Sequence, residues 1–298
     1  MKIHLRFLLA CLWCVSTALV VHADPISELI EQLPYGRINW TQALASATGN
    51  SSAEGPVQEP NLQSAQEKPY DLAYRQAIQH LVLTLSQLRM SHQNCVANLL
   101  VSQKLAQSKL EEIAGGAKVV QQTQLADGSV EVTVEMSLHG GFAQLMLPSD
   151  IRQVEPIKPL NGQHPATNRQ NPTGTFDEPA ARTKTDAFSG LVIDARGVGA
   201  RPSMVPLLLD ESGQEVYGPA YVSREFAVQR GMCRYVRGMD DSANLPRVAP
   251  NPLFVKGLRT EAKGSCDIVI SNADASKLRG VSSHLEFLKQ CRVVIVLD

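Results

Sequence analysis

The stretch Asp127-Gly-Ser-Val130-Glu-Val-Thr-Val-Glu-Met-Ser-Leu138 carries the clearest structural signal in the chain. Val130, Val132, Val134, Met136 and Leu138 alternate with Glu131, Thr133, Glu135 and Ser137. One face is apolar and the other polar, which predicts a strand of an antiparallel sheet covered on one side. Asp127-Gly128 is the preferred two-residue hairpin turn and pairs this strand with residues 117–125. The apolar face needs helices. Leu72, Ala73, Ala77, Leu81, Leu85 and Leu88 recur at helical spacing over 70–90, with Pro69 suited to the first helical position. A second helix is predicted over 101–114, with Leu105, Leu110 and Ile113 inward and Gly115-Gly116 as its stop.

Upstream, Ile26, Leu29, Ile30 and Leu33 share a helical face over residues 24–34, and Pro34 ends it. Residues 36–48, with Ile38 and Trp40 in alternation, read as a strand, and 50–68 as a polar loop. Downstream, residues 148–187 hold Pro148, Pro156, Pro159, Pro165, Pro172 and Pro179 with few apolar residues, the composition of a linker. Beyond it the pattern predicts strands at 190–194, 204–210, 215–217, 253–262, 266–271 and 291–298, and a helix over 223–236. The last two strands flank a helical segment long enough for a parallel crossover. The expected fold class is α+β: two small mixed α/β domains, 24–147 and 188–298, each a sheet with helices on one face, joined by a Pro-rich linker.

The chain has 298 residues, with 28 basic and 29 acidic side chains, 44% apolar residues and 5% aromatic ones. Balanced charge argues against a protein held to nucleic acid by charge, and the sparse aromatics against a stacking platform. Lys2 and Arg6 precede an apolar run over 7–21, and Val21-His22-Ala23 ends it with small or aliphatic residues. This is the pattern of a secretory signal peptide, 1–23, cut after Ala23. A lipobox at Leu8-Leu9-Ala10-Cys11 would leave only four apolar residues after Arg6, too few for a leader core. The expected location is therefore the periplasm or the outer-membrane periphery, with no transmembrane helix in the mature chain.

Chemical signatures are weak. Cys95, Cys233, Cys266 and Cys291 remain after the cut, without the paired spacing of a zinc site. Cys266 and Cys291 open two apolar runs. If those are neighbouring parallel strands the pair is within disulfide reach, and otherwise both are buried free thiols. The Gly197-Val-Gly199 segment would suit a phosphate loop only if a helix began there, and Pro202 with a following strand argues against that. Asp194, Asp210 and Glu211, with Arg196 and Arg201 close in sequence, form a candidate surface cluster. Converging, the carboxylates would suit a periplasmic hydrolase; apart, they are ion pairs and turn residues. The histidines show no metal-binding spacing, and no acyl-transfer serine elbow occurs. No catalytic, metal or cofactor residue is expected. A small-ligand module between the domains is a third reading.

The segments Gly36-Arg-Ile-Asn-Trp40, Ala47-Thr-Gly49, the helix over 70–90, Val96-Ala-Asn98, Gly116-Ala-Lys-Val-Val120 and Asp127-Gly-Ser-Val-Glu-Val-Thr-Val-Glu135 together resemble the flagellum-associated envelope lipoprotein family. That family includes FlgP-type proteins and the N-terminal domain of the flagellar assembly protein FlgT. The resemblance covers about residues 35–145. The second domain, through Gly190-Leu-Val-Ile-Asp-Ala-Arg-Gly197 and Val222-Ser-Arg-Glu-Phe-Ala227, is similar to regions of uncharacterised secreted bacterial proteins that share the first. The resemblance implies a non-enzymatic structural or assembly component of the envelope, flagellum-associated, homo-oligomeric and partnered by other envelope proteins such as flagellar ring or outer-membrane components. It implies no catalytic residues and no cofactor.

Overall fold

The computed structural model describes residues 28–52, 68–102, 107–151, 188–239 and 245–298. The predicted leader with its cleavage site and Cys11, and nearly all of the Pro-rich linker, lie outside these residues. The fold is α+β with two sheets.

The first sheet contains β1 (Ile30–Leu33), β2 (Gly36–Asn39), β3 (Leu44–Asn50), β4 (Lys118–Gln124) and β5 (Val130–Ser137), in the order β1-β2-β3-β5-β4, every pair antiparallel. The predicted β4–β5 hairpin forms, with Gln124 opposite Val130 and Leu125 opposite Ser129, but its loop has three residues, Ala126-Asp127-Gly128, rather than two, with Gly128 at φ +85°. Three helices, α1 (Pro69–Ser86), α2 (Val96–Ser102) and α3 (Gln107–Gly115), accompany the sheet. Ala45, Ala47 and Gly49 on β3 are small, so Ala73 and Ala77 of α1 lie directly against the strand. A Cβ at Gly49 would sit 2.2 Å from the Ala73 carbonyl oxygen, so only glycine permits this approach. The short helix α4 (Gly141–Met146), which periodicity does not reveal, buries Phe142, Ala143 and Met146.

The predicted helix over 24–34 is a correction: its described part forms β1. Pro34-Tyr35 makes a two-residue turn into β2, and sheet pairing overrides a weak local helical pattern. The predicted strand over 36–48 is two strands folded about residues 40–43, where the Asn39 side chain accepts from the Gln42 amide. Of the helix expected over 101–114, the described residues are helical, at the end of α2 and in α3.

The second sheet contains β6 (Gly190–Asp194), β7 (Leu208–Leu209), β8 (Glu215–Tyr217), β9 (Arg234–Arg237), β10 (Pro252–Thr260), β11 (Ile268–Ile270) and β12 (Val293–Leu297). Their order is β8-β7-β11-β10-β6-β12-β9. Helices α5 (Arg224–Arg230), α6 (Asn272–Arg279) and α7 (Ser282–Lys289) complete the module. β10, β6, β12 and β9 are mutually parallel, whereas β11 runs antiparallel to β10. The predicted parallel crossover therefore fails: β11 and β12 run in opposite directions with β10 and β6 between them. The Cys266–Cys291 bridge fails with it, because it requires neighbouring strands, and both thiols are free and buried. The helix expected over 223–236 stops at Arg230, because Gly231 adopts φ +72° and turns the chain into β9. Of the expected strand over 204–210, only Leu208–Leu209 joins the sheet. Met204 and Val205 instead donate to the carbonyls of Arg89 and Met90, at 3.0 and 2.8 Å, and so tie the two sheets together.

β6 and β12 are buried along almost their whole length. Leu191, Ile193, Val293 and Ile295 join one apolar cluster that continues through Tyr235 and Trp40 into the first sheet. Val192, Val294 and Val296 face the other way, under Leu245 and Val248. The two sheets thus share one core.

Candidate functional site

The structure scatters the predicted carboxylate cluster. Asp194 ends β6 and accepts from Arg196 Nε at 2.8 Å and Lys256 Nζ at 2.9 Å. The Arg196 hydrogen bonds hold its carboxyl well below the usual carboxylate range, the Lys256 contact adding to them. Asp210 follows β7, accepts from the amides of Ser212 and Gln214 and from Arg279 Nη1, each at 2.8–2.9 Å, and is likewise held below its ordinary value, chiefly by Arg279. Glu211 accepts from the Asn272 amide at the start of α6. Arg201 contacts Glu31 at 3.3 Å. β6 and β7 are separated by β10 and β11; the register sets Asp194 beside Lys256 and carries Asp210, the residue after Leu209, to the level of Gly257, so the two lie at nearly the same height but three strand spacings apart. The sideways offset alone is about 14 Å, beyond the ~5–9 Å of a paired-carboxylate hydrolase. The paired-carboxylate geometry of the hydrolase reading is not met by these residues.

The other weak signals resolve similarly. Gly197 and Gly199 have positive φ in a strand connection, and the Gly197 amide donates to the Asp298 carboxylate at 3.0 Å. No helix begins there. His92 pairs with Asp267 at 2.6 Å. Among the described residues no group of three His, Cys, Asp or Glu side chains could hold a metal ion, and no helix is long and apolar enough to cross a membrane.

What the fold does assemble lies where the two sheets meet. Glu31 on β1 accepts from Trp40 Nε1 at 2.9 Å, Arg89 Nη2 at 3.2 Å and Arg201 Nη2 at 3.3 Å. Arg89 also donates to the Pro202 carbonyl at 2.6 Å. Trp40 packs edge-on to Tyr235 with ring centroids 5.8 Å apart. These contacts fix one orientation between the sheets.

Beside this junction a cleft of about 410 Å³ opens between the β2–β3 turn, the end of β5 and the segment from α5 to β9. Trp40, Gln42 and His139 come from the first sheet's side, and Arg230, Arg234 and Arg247 from the second. Burial, with the nearby charge of Arg247, pushes the His139 imidazole down from its ordinary 6.5 to about 4. The arginines are far apart in sequence from His139 and Trp40, and no spacing rule links them. An arginine-rich tract over 224–247 was the available signal.

A second feature is an open edge. β4 ends the first sheet and is exposed on both faces, apart from a partly covered Thr123. Its register shifts between Val119 and Gln121, leaving Val120 as an exposed extra residue.

The sequence model of one family, described as Treponema pallidum Tp0624, second domain, matches residues 190–298. No curated protein matches the chain.

Proposed function

We propose that the chain is an exported, non-enzymatic structural or assembly protein of the bacterial envelope that acts by docking, at the periplasm or outer-membrane periphery, in the service of the flagellum. The observation that carries the reading is β4. A seven-residue edge strand with both faces and one line of backbone donors and acceptors open is a template for pairing with another chain. A second copy is the proposed occupant, in a closed ring that removes such edges. The apolar leader pattern over 7–21 supports export, the resemblance over 35–145 supports the flagellar role, and the similarity of 190–298 to a Treponema domain fits a bacterial protein.

The test is a clean deletion in the source bacterium, scored for swimming and for flagella attached per cell. Lost swimming restored by the gene in trans is the expected result. Normal swimming with normal flagella overturns the flagellar role. Light scattering on the purified chain tests self-pairing separately, and a monomer at all concentrations overturns it.

A further inference from the structure

We propose that the cleft between the two sheets binds an oxyanion, a phosphate or carboxylate group carried by a small molecule, held by the guanidinium groups of Arg234 and Arg230 with the charge of Arg247 behind them. The proposal is independent of the docking role.

Charge is the first argument. Arg230, Arg234 and Arg247 all line this one cleft, and among the described residues no Asp or Glu lines it. Arg247 is half-buried. Its guanidinium donates to the carbonyls of Cys291 at 2.7 Å, Arg230 at 2.7 Å and Gly231 at 2.5 Å. Those carbonyls satisfy its N–H groups but bring no counter-charge, and no carboxylate pairs with it among the described residues. A half-buried cation without a counter-ion leaves a positive field in the adjoining cavity, less screened there than in open water. The neighbouring His139 imidazole is depressed first by its own burial and second by the Arg247 charge. Glu28 reaches only the rim, hydrogen-bonded to Asn39 and Gln42.

The second argument is an unmet donor. Arg234 Nε is buried and has no hydrogen-bond partner. Buried polar groups are nearly always paired, and a guanidinium is a planar fork whose geometry matches phosphate and carboxylate oxygens. The Arg230 side chain stacks on Phe226 at 5.1 Å, which leaves its own N–H edge available. The cleft volume of about 410 Å³ falls in the range of small-molecule sites. Trp40 in its wall provides a spectroscopic reporter.

The experiment titrates the full chain with inorganic phosphate, and in parallel with citrate, at constant ionic strength, reading Trp40 fluorescence and melting temperature. Because phosphate stabilises proteins generally by exclusion, the variants decide. A saturable fluorescence change is expected with one anion or both. Arg234→Gln should weaken it at least about tenfold and Arg230→Gln several-fold, with the specific part of the thermal shift lost in step. Saturation by phosphate alone marks a phosphate-bearing ligand, and by citrate alone a carboxylate-bearing one. No saturable change with either anion overturns the proposal. So does binding by both variants at wild-type strength. Arg230 is exposed at the end of α5, so Arg230→Gln keeps the test decisive even if Arg234→Gln fails to fold.

Discussion

The two sheets solve the burial problem differently. In the first, β5 buries Val132 and Val134 on one face and keeps Glu131, Thr133 and Glu135 half-covered on the other. In the second, β12 has no outer face: Val294 and Val296 pack under Leu245 and Val248, while Val293 and Ile295 face the shared core. A one-sided strand must alternate, and a two-sided strand need not. The first sheet therefore keeps a solvated surface and an open edge, whereas the centre of the second is closed on both sides.

Aspartate substitutions break this comparison most sharply. Val294→Asp and Ile295→Asp should both abolish the cooperative thermal transition followed by circular dichroism, since either buries an unpaired carboxylate and costs more than about 4 kcal/mol. On β5 the two faces should part. Val134→Asp should unfold the chain as severely. Thr133→Asp, which loses only a 2.9 Å hydroxyl contact with Thr48, should cost about 1 kcal/mol. Tolerance of aspartate on either face of β12 would refute the two-sided reading.

The same contrast explains what could be read from the sequence. The β4–β5 hairpin and α1 were legible because alternation, Asp-Gly and helical spacing are local signals. The strands of the second sheet were recognisable as apolar runs, but their order was not. A run such as Val293–Leu297 does not say which neighbour it takes, so Cys266 and Cys291 looked adjacent although β10 and β6 separate them. Residues 24–34 and 223–236 misled for another reason. Short helical periodicity yielded in one case to pairing with β2, and in the other to the left-handed turn at Gly231. The cleft was illegible because Trp40, His139, Arg234 and Arg247 converge only through the junction.

A smaller effect sharpens the claim that the sheets form one unit. Arg89 is largely buried and bridges Glu31 to the Pro202 carbonyl. Arg89→Ala leaves that carbonyl unpaired and removes one of two cations from Glu31, at a cost of about 2 kcal/mol. With a shared core, calorimetry should show one transition in the parent and a midpoint lowered by several degrees in the variant. An unchanged midpoint would mean that the sheets stand independently.

The smallest effects separate the junction from Asp194 and Asp210 by pH. The His139 imidazole has its folded value near 4 against an ordinary 6.5. Between those values the unfolded chain binds a proton that the folded chain refuses, so stability is complete above about pH 6.5 and declines as pH falls toward 4. His139→Gln should flatten this limb in melts taken between pH 4 and 7. Asp194 and Asp210 have the opposite origin: their ordinary value of 3.8 is lowered by Arg196 and Arg279. Their contribution is present above that value and is lost only as pH falls below it, through the folded values. Lys256→Ala, which removes one exposed cation from Asp194, should cost under about 1 kcal/mol at pH 7, as exposed ion pairs do, and leave the limb between pH 4 and 7 untouched. If His139→Gln leaves that limb intact, the imidazole is not the group that titrates there.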